Sequence, residues 1–171
     1  MPKTLFSIIV MFFILASLGC RKNEPSENKE KTAISGIAET MINIACMLKV
    51  ETIDNDIHAF VTFTNNSDRG VPILRWKLLM DDKITWSAFT ITLDSKTVPY
   101  TGRTIKRGSP SKDDFFSLAP GASITSVIKI RDYYSIGDPG EYDIAYFSYN
   151  HLPENNDVFE IRSNTVEYTV K

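Results

Sequence analysis

The sequence is poor in the residues that most metal proteins and many enzymes use for chemistry. Its 171 residues include two cysteines and two histidines, and the histidines, His58 and His151, stand far apart. One disulfide is the most that the cysteines could form, and a metal site would have few nitrogen and sulfur ligands to draw on. The net charge of -2 and the pI near 5.7 provide no basic surface that would attract nucleic acid. The composition therefore predicts no metal, no cofactor and no nucleic-acid partner.

Short catalytic motifs are also missing from the sequence. It contains no G-x-S-x-G elbow, no Walker loop and no pair of C-x-x-C motifs. The acidic run at Asp54–Asp56 lacks the rest of a calcium loop and is typical of a surface turn. We therefore expect that the chain is not an enzyme, unless a site assembles from distant residues.

The first twenty residues, MPKTLFSIIVMFFILASLGC, indicate export. One lysine precedes an apolar run from Leu5 to Leu18, which is short for a membrane span and typical of a secretory signal. The final letters, SLGC, resemble a bacterial lipobox, in which the cysteine is acylated before cleavage. We expect residues 1–19 to be a lipoprotein signal peptide and Cys20 to carry lipid such as palmitate. The alternative is an ordinary signal peptide with a cysteine there by chance.

Residues 20–40 continue from the lipidated cysteine as a polar segment with mixed charge and no apolar period, which is typical of a flexible tether. This arrangement predicts a protein anchored by lipid in the bacterial envelope, in the outer membrane. The charged tether serves as a spacer or, in the second interpretation, as an export address to the cell surface.

From residue 42 onwards, apolar residues recur at every second position, which is the pattern of half-buried strands. About seven such runs, separated by turn residues, predict an all-β antiparallel sandwich over residues 41–171. Cys46 falls on a buried face, where a thiol packs as a small hydrophobic group. The inward positions are Ile42, Ile44, Cys46, Leu48 and Val50; Ala59, Val61 and Phe63; Leu74, Trp76 and Leu78; Phe89, Ile91 and Leu93; Ile124, Ile128 and Ile130; Tyr142, Ile144 and Tyr146; and Val166, Tyr168 and Val170.

Several short motifs occur in a fixed order between about residues 58 and 149. They are a tryptophan strand, V-P-Y-x-G-x-x-x-K-R, L-A-P-G-x-S and P-G-x-Y. Together they resemble the noncatalytic N-terminal domain of deuterolysin-type and peptidyl-Lys metallopeptidases. The matching positions are Trp76; Val98, Pro99, Tyr100, Gly102, Lys106 and Arg107; Leu118 to Gly121 with Ser123; and Pro139, Gly140 and Tyr142.

The resemblance implies an immunoglobulin-like sandwich without peptidase activity. In that family, proteolysis comes from a separate zinc domain with an H-E-x-x-H motif. The sequence has no two histidines four residues apart, and such a pair is the minimum for that zinc site. We therefore expect no proteolysis by this chain.

The loop from Val98 to Gly121 is the candidate binding surface. It combines an aromatic residue with several cations, which are residue types that contribute strongly to protein interfaces. The second interpretation is a structural crossing between sheets whose cations face water. The candidate binding residues are Tyr100, Arg103, Lys106, Arg107 and Lys112.

These features predict a noncatalytic, lipid-anchored module of the bacterial envelope. Its partners would be the membrane, through the lipid, and a protein. A narrower hypothesis is that it inhibits or chaperones a secreted protease, as a freestanding relative of a protease pro-domain. The alternative is a structural or scaffold lipoprotein of a surface or envelope complex.

Overall fold

The computed structural model describes residues 41–81 and 83–171. The predicted signal peptide, the lipidated Cys20 and the tether lie outside these described residues. The described part contains nine strands and two short 3-10 helices. The strands are β1 (Ile44–Ile53), β2 (Asp56–Asn65), β3 (Val71–Leu74), β4 (Phe89–Leu93), β5 (Lys96–Thr97), β6 (Phe115–Leu118), β7 (Ser123–Lys129), β8 (Gly140–His151) and β9 (Val158–Val170), and the 3-10 helices are Lys112–Asp114 and Ile130–Asp132.

The strands form antiparallel sheets with the order β1-β2-β7, β3-β6 and β5-β4-β8-β9. Two hairpins turn through consecutive residues with positive φ, at Asp54 and Asn55 and again at Asp94 and Ser95. Such two-residue turns match the twist of the flanking strands. The all-β sandwich that the alternation predicts is confirmed, with more strands than the seven expected.

The core lies between the three-stranded and four-stranded sheets, where the inward faces of β2 and β8 meet. Ala59, Val61 and Phe63 on β2 are fully buried, as the period of two predicts. The Phe63 ring meets the Tyr146 ring edge to face at 5.3 Å, and Phe89 meets the same tyrosine at 5.9 Å. These contacts bring β2, β4 and β8 together around Tyr146.

Cys46 lies on the inward side of β1 and is half-buried. Burial raises the pKa of its thiol to about 12, because the apolar surroundings disfavour the thiolate. The prediction that Cys46 packs as a small hydrophobic group is consistent with this position.

One predicted strand is wrong. The alternation of Leu74, Trp76 and Leu78 suggested a strand, but β3 ends at Leu74 and residues 75–81 form turns. The amide of Leu78 donates to Leu74 O at 3.1 Å, and Leu79 has a φ of 57°. The coiled backbone buries the consecutive residues Leu78 and Leu79 together, whereas a strand would point them to opposite faces.

Candidate binding surface

The predicted binding loop leaves the four-stranded sheet after β5 and crosses to β6 in the two-stranded sheet. Its first part is fixed by backbone contacts with the segment that follows β7. Tyr100 forms an isolated antiparallel bridge with Tyr134, and Thr101 N donates to Tyr133 O at 2.8 Å. Further along, Ile105 N donates to Thr85 O at 3.0 Å. The crossing is therefore held in place at several points.

Tyr100 is half-buried and is engaged in internal contacts. Its ring lies parallel to that of Tyr133 with centroids 6.4 Å apart, and it meets Tyr134 edge to face at 5.4 Å. Its hydroxyl can donate a hydrogen bond to Ile84 O at 2.9 Å or to Arg103 O at 3.1 Å. Burial, with smaller contributions from the two neighbouring tyrosines, raises the pKa of Tyr100. Its contacts therefore fix the loop and leave little of the side chain for a partner.

The tyrosine stack explains the glycine in the V-P-Y-x-G motif. A Cβ atom at position 102 would lie 2.5 Å from the Tyr100 hydroxyl oxygen and 2.8 Å from Tyr133 Cδ1. We expect Gly102→Ala to lower the free energy of unfolding by about 1–3 kcal/mol, because the added methyl group overpacks the stack. Denaturant unfolding of the variant measures this loss.

Gly108→Ala is the matched control for this prediction. A Cβ atom at position 108 has no neighbour within 4 Å, so we expect little change in the free energy of unfolding. Equal losses in the two variants would contradict the role assigned to the stack.

The four predicted cations are exposed and do not form one cluster. Arg103 and Lys106 project from the loop into solvent. The guanidinium carbon of Arg107 lies 4.3 Å above the centroid of the Trp76 ring, and its Nη2 donates to Thr85 Oγ1 at 3.2 Å. Lys112 lies in the 3-10 helix and lines a separate pocket that also includes Phe115 and His151.

The structure adds residues that the sequence interpretation did not place in this region. Lys77 Nζ lies 3.5 Å from the centroid of the Trp86 ring. Burial lowers the pKa of Lys77 to about 8, and the nearby charge of Arg107 contributes further. The mistaken strand over residues 74–78 had assigned Trp76 to the core and left Lys77 unconsidered. The available signal was the sequence RWK at residues 75–77, in which cations flank a tryptophan and can lie over an aromatic ring.

Within residues 41–81 and 83–171, no group of three or more His, Cys, Asp or Glu side chains is arranged to hold a metal ion. In the same part of the chain, no helix has both the length and the apolar character needed to cross a membrane.

No family model matches this sequence. One curated relative is similar, an "Extracellular protease" from Aeromonas hydrophila, with 31% identity over 97 residues. The match covers 57% of this chain but 28% of the relative. The chain thus contains a region similar to one part of an extracellular protease, whereas the assignment to an immunoglobulin-like domain of a particular metallopeptidase family stays a prediction.

Proposed function

We propose that this protein is a noncatalytic, lipid-anchored module of the bacterial envelope that binds another protein. The observation that carries the proposal is a loop on an all-β scaffold, held by backbone hydrogen bonds, that exposes Arg103, Lys106 and Arg107. Loops held by a sandwich commonly carry binding, and arginine is enriched among residues that dominate interfaces. The signal-like N-terminus and SLGC at residues 17–20 support the lipid anchor.

A narrower form of the proposal names a secreted protease as the partner. The similarity to part of an extracellular protease supports it, since a freestanding relative of a protease segment could bind a catalytic domain as an inhibitor or chaperone. In this form, the purified protein changes the rate at which its captured peptidase hydrolyses a protein substrate. It does not hydrolyse the substrate itself.

Crosslinking and affinity capture from envelope extract test the binding proposal. We expect the double variant Arg103→Ala/Lys106→Ala to recover about fivefold less partner than the unmodified protein, because two exposed charge contacts are lost. The variant retains Tyr100, whose removal would disturb the loop itself. Mass spectrometry quantifies the recovered protein.

The matched control is Lys96→Ala/Lys171→Ala, which removes two exposed cations elsewhere. This variant is expected to capture the partner as well as the unmodified protein does. Failure to capture any protein reproducibly would contradict the binding proposal. Equal capture by both variants would show that Arg103 and Lys106 do not belong to the binding surface.

One observation favours the alternative, a scaffold lipoprotein of an envelope complex. The aromatic residue of the loop, Tyr100, contacts Tyr133 and Tyr134 instead of projecting into solvent. In that case, capture would recover a stable multiprotein assembly, and the loop variants would not change its composition.

A further inference from the structure

The two tryptophans of the chain are each covered by a cation. Arg107 lies over Trp76 with its guanidinium carbon 4.3 Å from the ring centroid, and Lys77 lies over Trp86 with Nζ at 3.5 Å. A cation in this position is attracted by the negative face of the ring. We call these four residues the tryptophan–cation cluster.

Contacts through Thr85 hold the two halves of the cluster together. Arg107 Nη2 donates to Thr85 Oγ1 at 3.2 Å, and the Thr85 carbonyl accepts from Ile105 N at 3.0 Å. Thr85 directly precedes Trp86 in the sequence, so Arg107 contacts the segment that carries the second tryptophan as well as the ring of the first. Consistent with this proximity, the charge of Arg107 helps to lower the pKa of Lys77.

Within the described part of the chain, no ion pair neutralises the positive charge of the cluster. The ion pairs there are Lys49–Glu51, Lys129–Asp56 and Arg162–Glu160, and none involves Lys77 or Arg107. Asp114 lines the same pocket as Trp76 and Arg107. Its Oδ2 accepts hydrogen bonds from Ser111 N at 2.7 Å and Ser111 Oγ at 2.8 Å, and these bonds, with a smaller contribution from the charge of Arg107, lower the pKa of Asp114.

The ligand class follows from this arrangement. Lys77 and Arg107 form no ion pair with an acidic side chain in the described part of the chain, so both are free to attract an anion, and the partial burial of Lys77 strengthens that attraction relative to bulk water. A guanidinium and an ammonium both donate charge-assisted hydrogen bonds to carboxylates. The indole faces and Pro110, which lines the pocket, supply apolar walls for the aliphatic part of a glutamate or aspartate side chain.

We propose that Trp76, Lys77, Trp86 and Arg107 form a binding site for a carboxylate group in an acidic segment of the partner protein. This inference rests on the proposed protein-binding function and names the chemistry of the partner. Lys77 Nζ and the Arg107 guanidinium bind the carboxylate oxygens, and the indoles contact the adjoining methylene groups.

The site has a pH dependence that can be tested. Lys77 loses its proton as the pH rises through about 8, so the affinity for a carboxylate falls over the same range. Two other titratable groups beside it keep their protonation state over this range. Asp114 stays ionised because its hydrogen bonds with Ser111, together with the charge of Arg107, lower its pKa, and Tyr146, whose hydroxyl donates to Lys77 O, stays neutral because burial raises its pKa.

Intrinsic fluorescence measures binding at this site directly, since both tryptophans belong to it. The purified protein is titrated with an acetylated, amidated hexaglutamate peptide, with hexaglutamine as the uncharged comparison. We expect a saturable change with hexaglutamate and none with hexaglutamine. Raising the pH from 7 to 9 is expected to weaken hexaglutamate binding about tenfold, as the protonated fraction of Lys77 falls.

Variants assign the effect to individual residues. Lys77→Met and Arg107→Met keep an apolar stem over the indoles, and each is expected to weaken binding about tenfold or more through the loss of a charge-assisted contact. Lys77→Arg is expected to retain binding without the decline between pH 7 and 9. Lys96→Met, which removes an exposed cation in β5, is expected to bind like the unmodified protein.

The inference is overturned if hexaglutamate gives no saturable change, if Lys96→Met weakens binding as much as Lys77→Met, or if the pH decline persists in Lys77→Arg. The same experiments separate this inference from the proposed function. If the protein captures a partner from envelope extract and excess hexaglutamate does not release it, the binding function stands and the carboxylate site does not.

Discussion

Replacing Phe63 with alanine is expected to lower the free energy of unfolding by about 3–5 kcal/mol. Phe63 is fully buried at the centre of the core, where its ring meets Tyr146 of the opposite sheet at 5.3 Å. The substitution removes apolar surface from the core and leaves a cavity that the rigid strands cannot fill. Globular domains are stable by about 5–15 kcal/mol, so the loss is a large part of the total. Equilibrium unfolding in urea measures it.

Phe60→Ala is the matched control on the same strand. Phe60 points to the outer face of β2 and is half-buried, so its removal takes less apolar surface from the core. We expect a clearly smaller loss of stability than in Phe63→Ala. Equal losses would show that the inward face of β2 does not form the centre of the core.

Replacing Asn65 with alanine is expected to lower the free energy of unfolding by about 3 kcal/mol, because buried hydrogen-bonding groups lose their partners. The Asn65 side chain is fully buried at the end of β2. Its Nδ2 donates to Arg69 O at 2.7 Å and to Leu118 O at 2.8 Å, and its Oδ1 accepts from Ser67 N at 2.9 Å. One amide group therefore joins the turn after β2 to the end of β6.

Asn66→Ala is the control for this effect. Asn66 is the next residue in the same turn, and its side chain is exposed. Its backbone amide donates to Asn43 O at 2.8 Å, a hydrogen bond that alanine preserves. We expect little change in stability, and thermal unfolding of the two variants compares them. A similar fall in both would assign the effect to turn flexibility, not to the buried amide.

Much of the fold could be predicted because the side chains of a strand alternate between the two faces of the sheet, with a period of two residues. Alternation along β2 and β8 identifies the residues that become fully buried, including Val61 and Tyr146. Turn residues such as Asp54 and Asn55 mark the hairpin tip between β1 and β2. Each of these signals depends on neighbouring residues alone, so one sequence is enough to read them.

The prediction failed where packing overrides that alternation. Leu74, Trp76 and Leu78 satisfy a period of two, yet the chain coils after Leu74 so that Leu78 and Leu79 are both buried. Within the candidate site, the sequence identified the cations of the loop but could not foresee their partners. Arg107 and Trp76 are 31 residues apart in the sequence, and Thr85 and Trp86 come from a third segment.

The sequence by itself determined that this chain forms an antiparallel β-sandwich, since the inward residues follow from alternation and the reversals from turn chemistry. Only the tertiary structure decided that Tyr100 and Gly102 hold the loop in place, and that two cations meet two tryptophans beside it. The physical reason is that alternation specifies which face a side chain occupies. Which distant side chain it contacts there depends on how the sheets and the crossing segments pack in three dimensions.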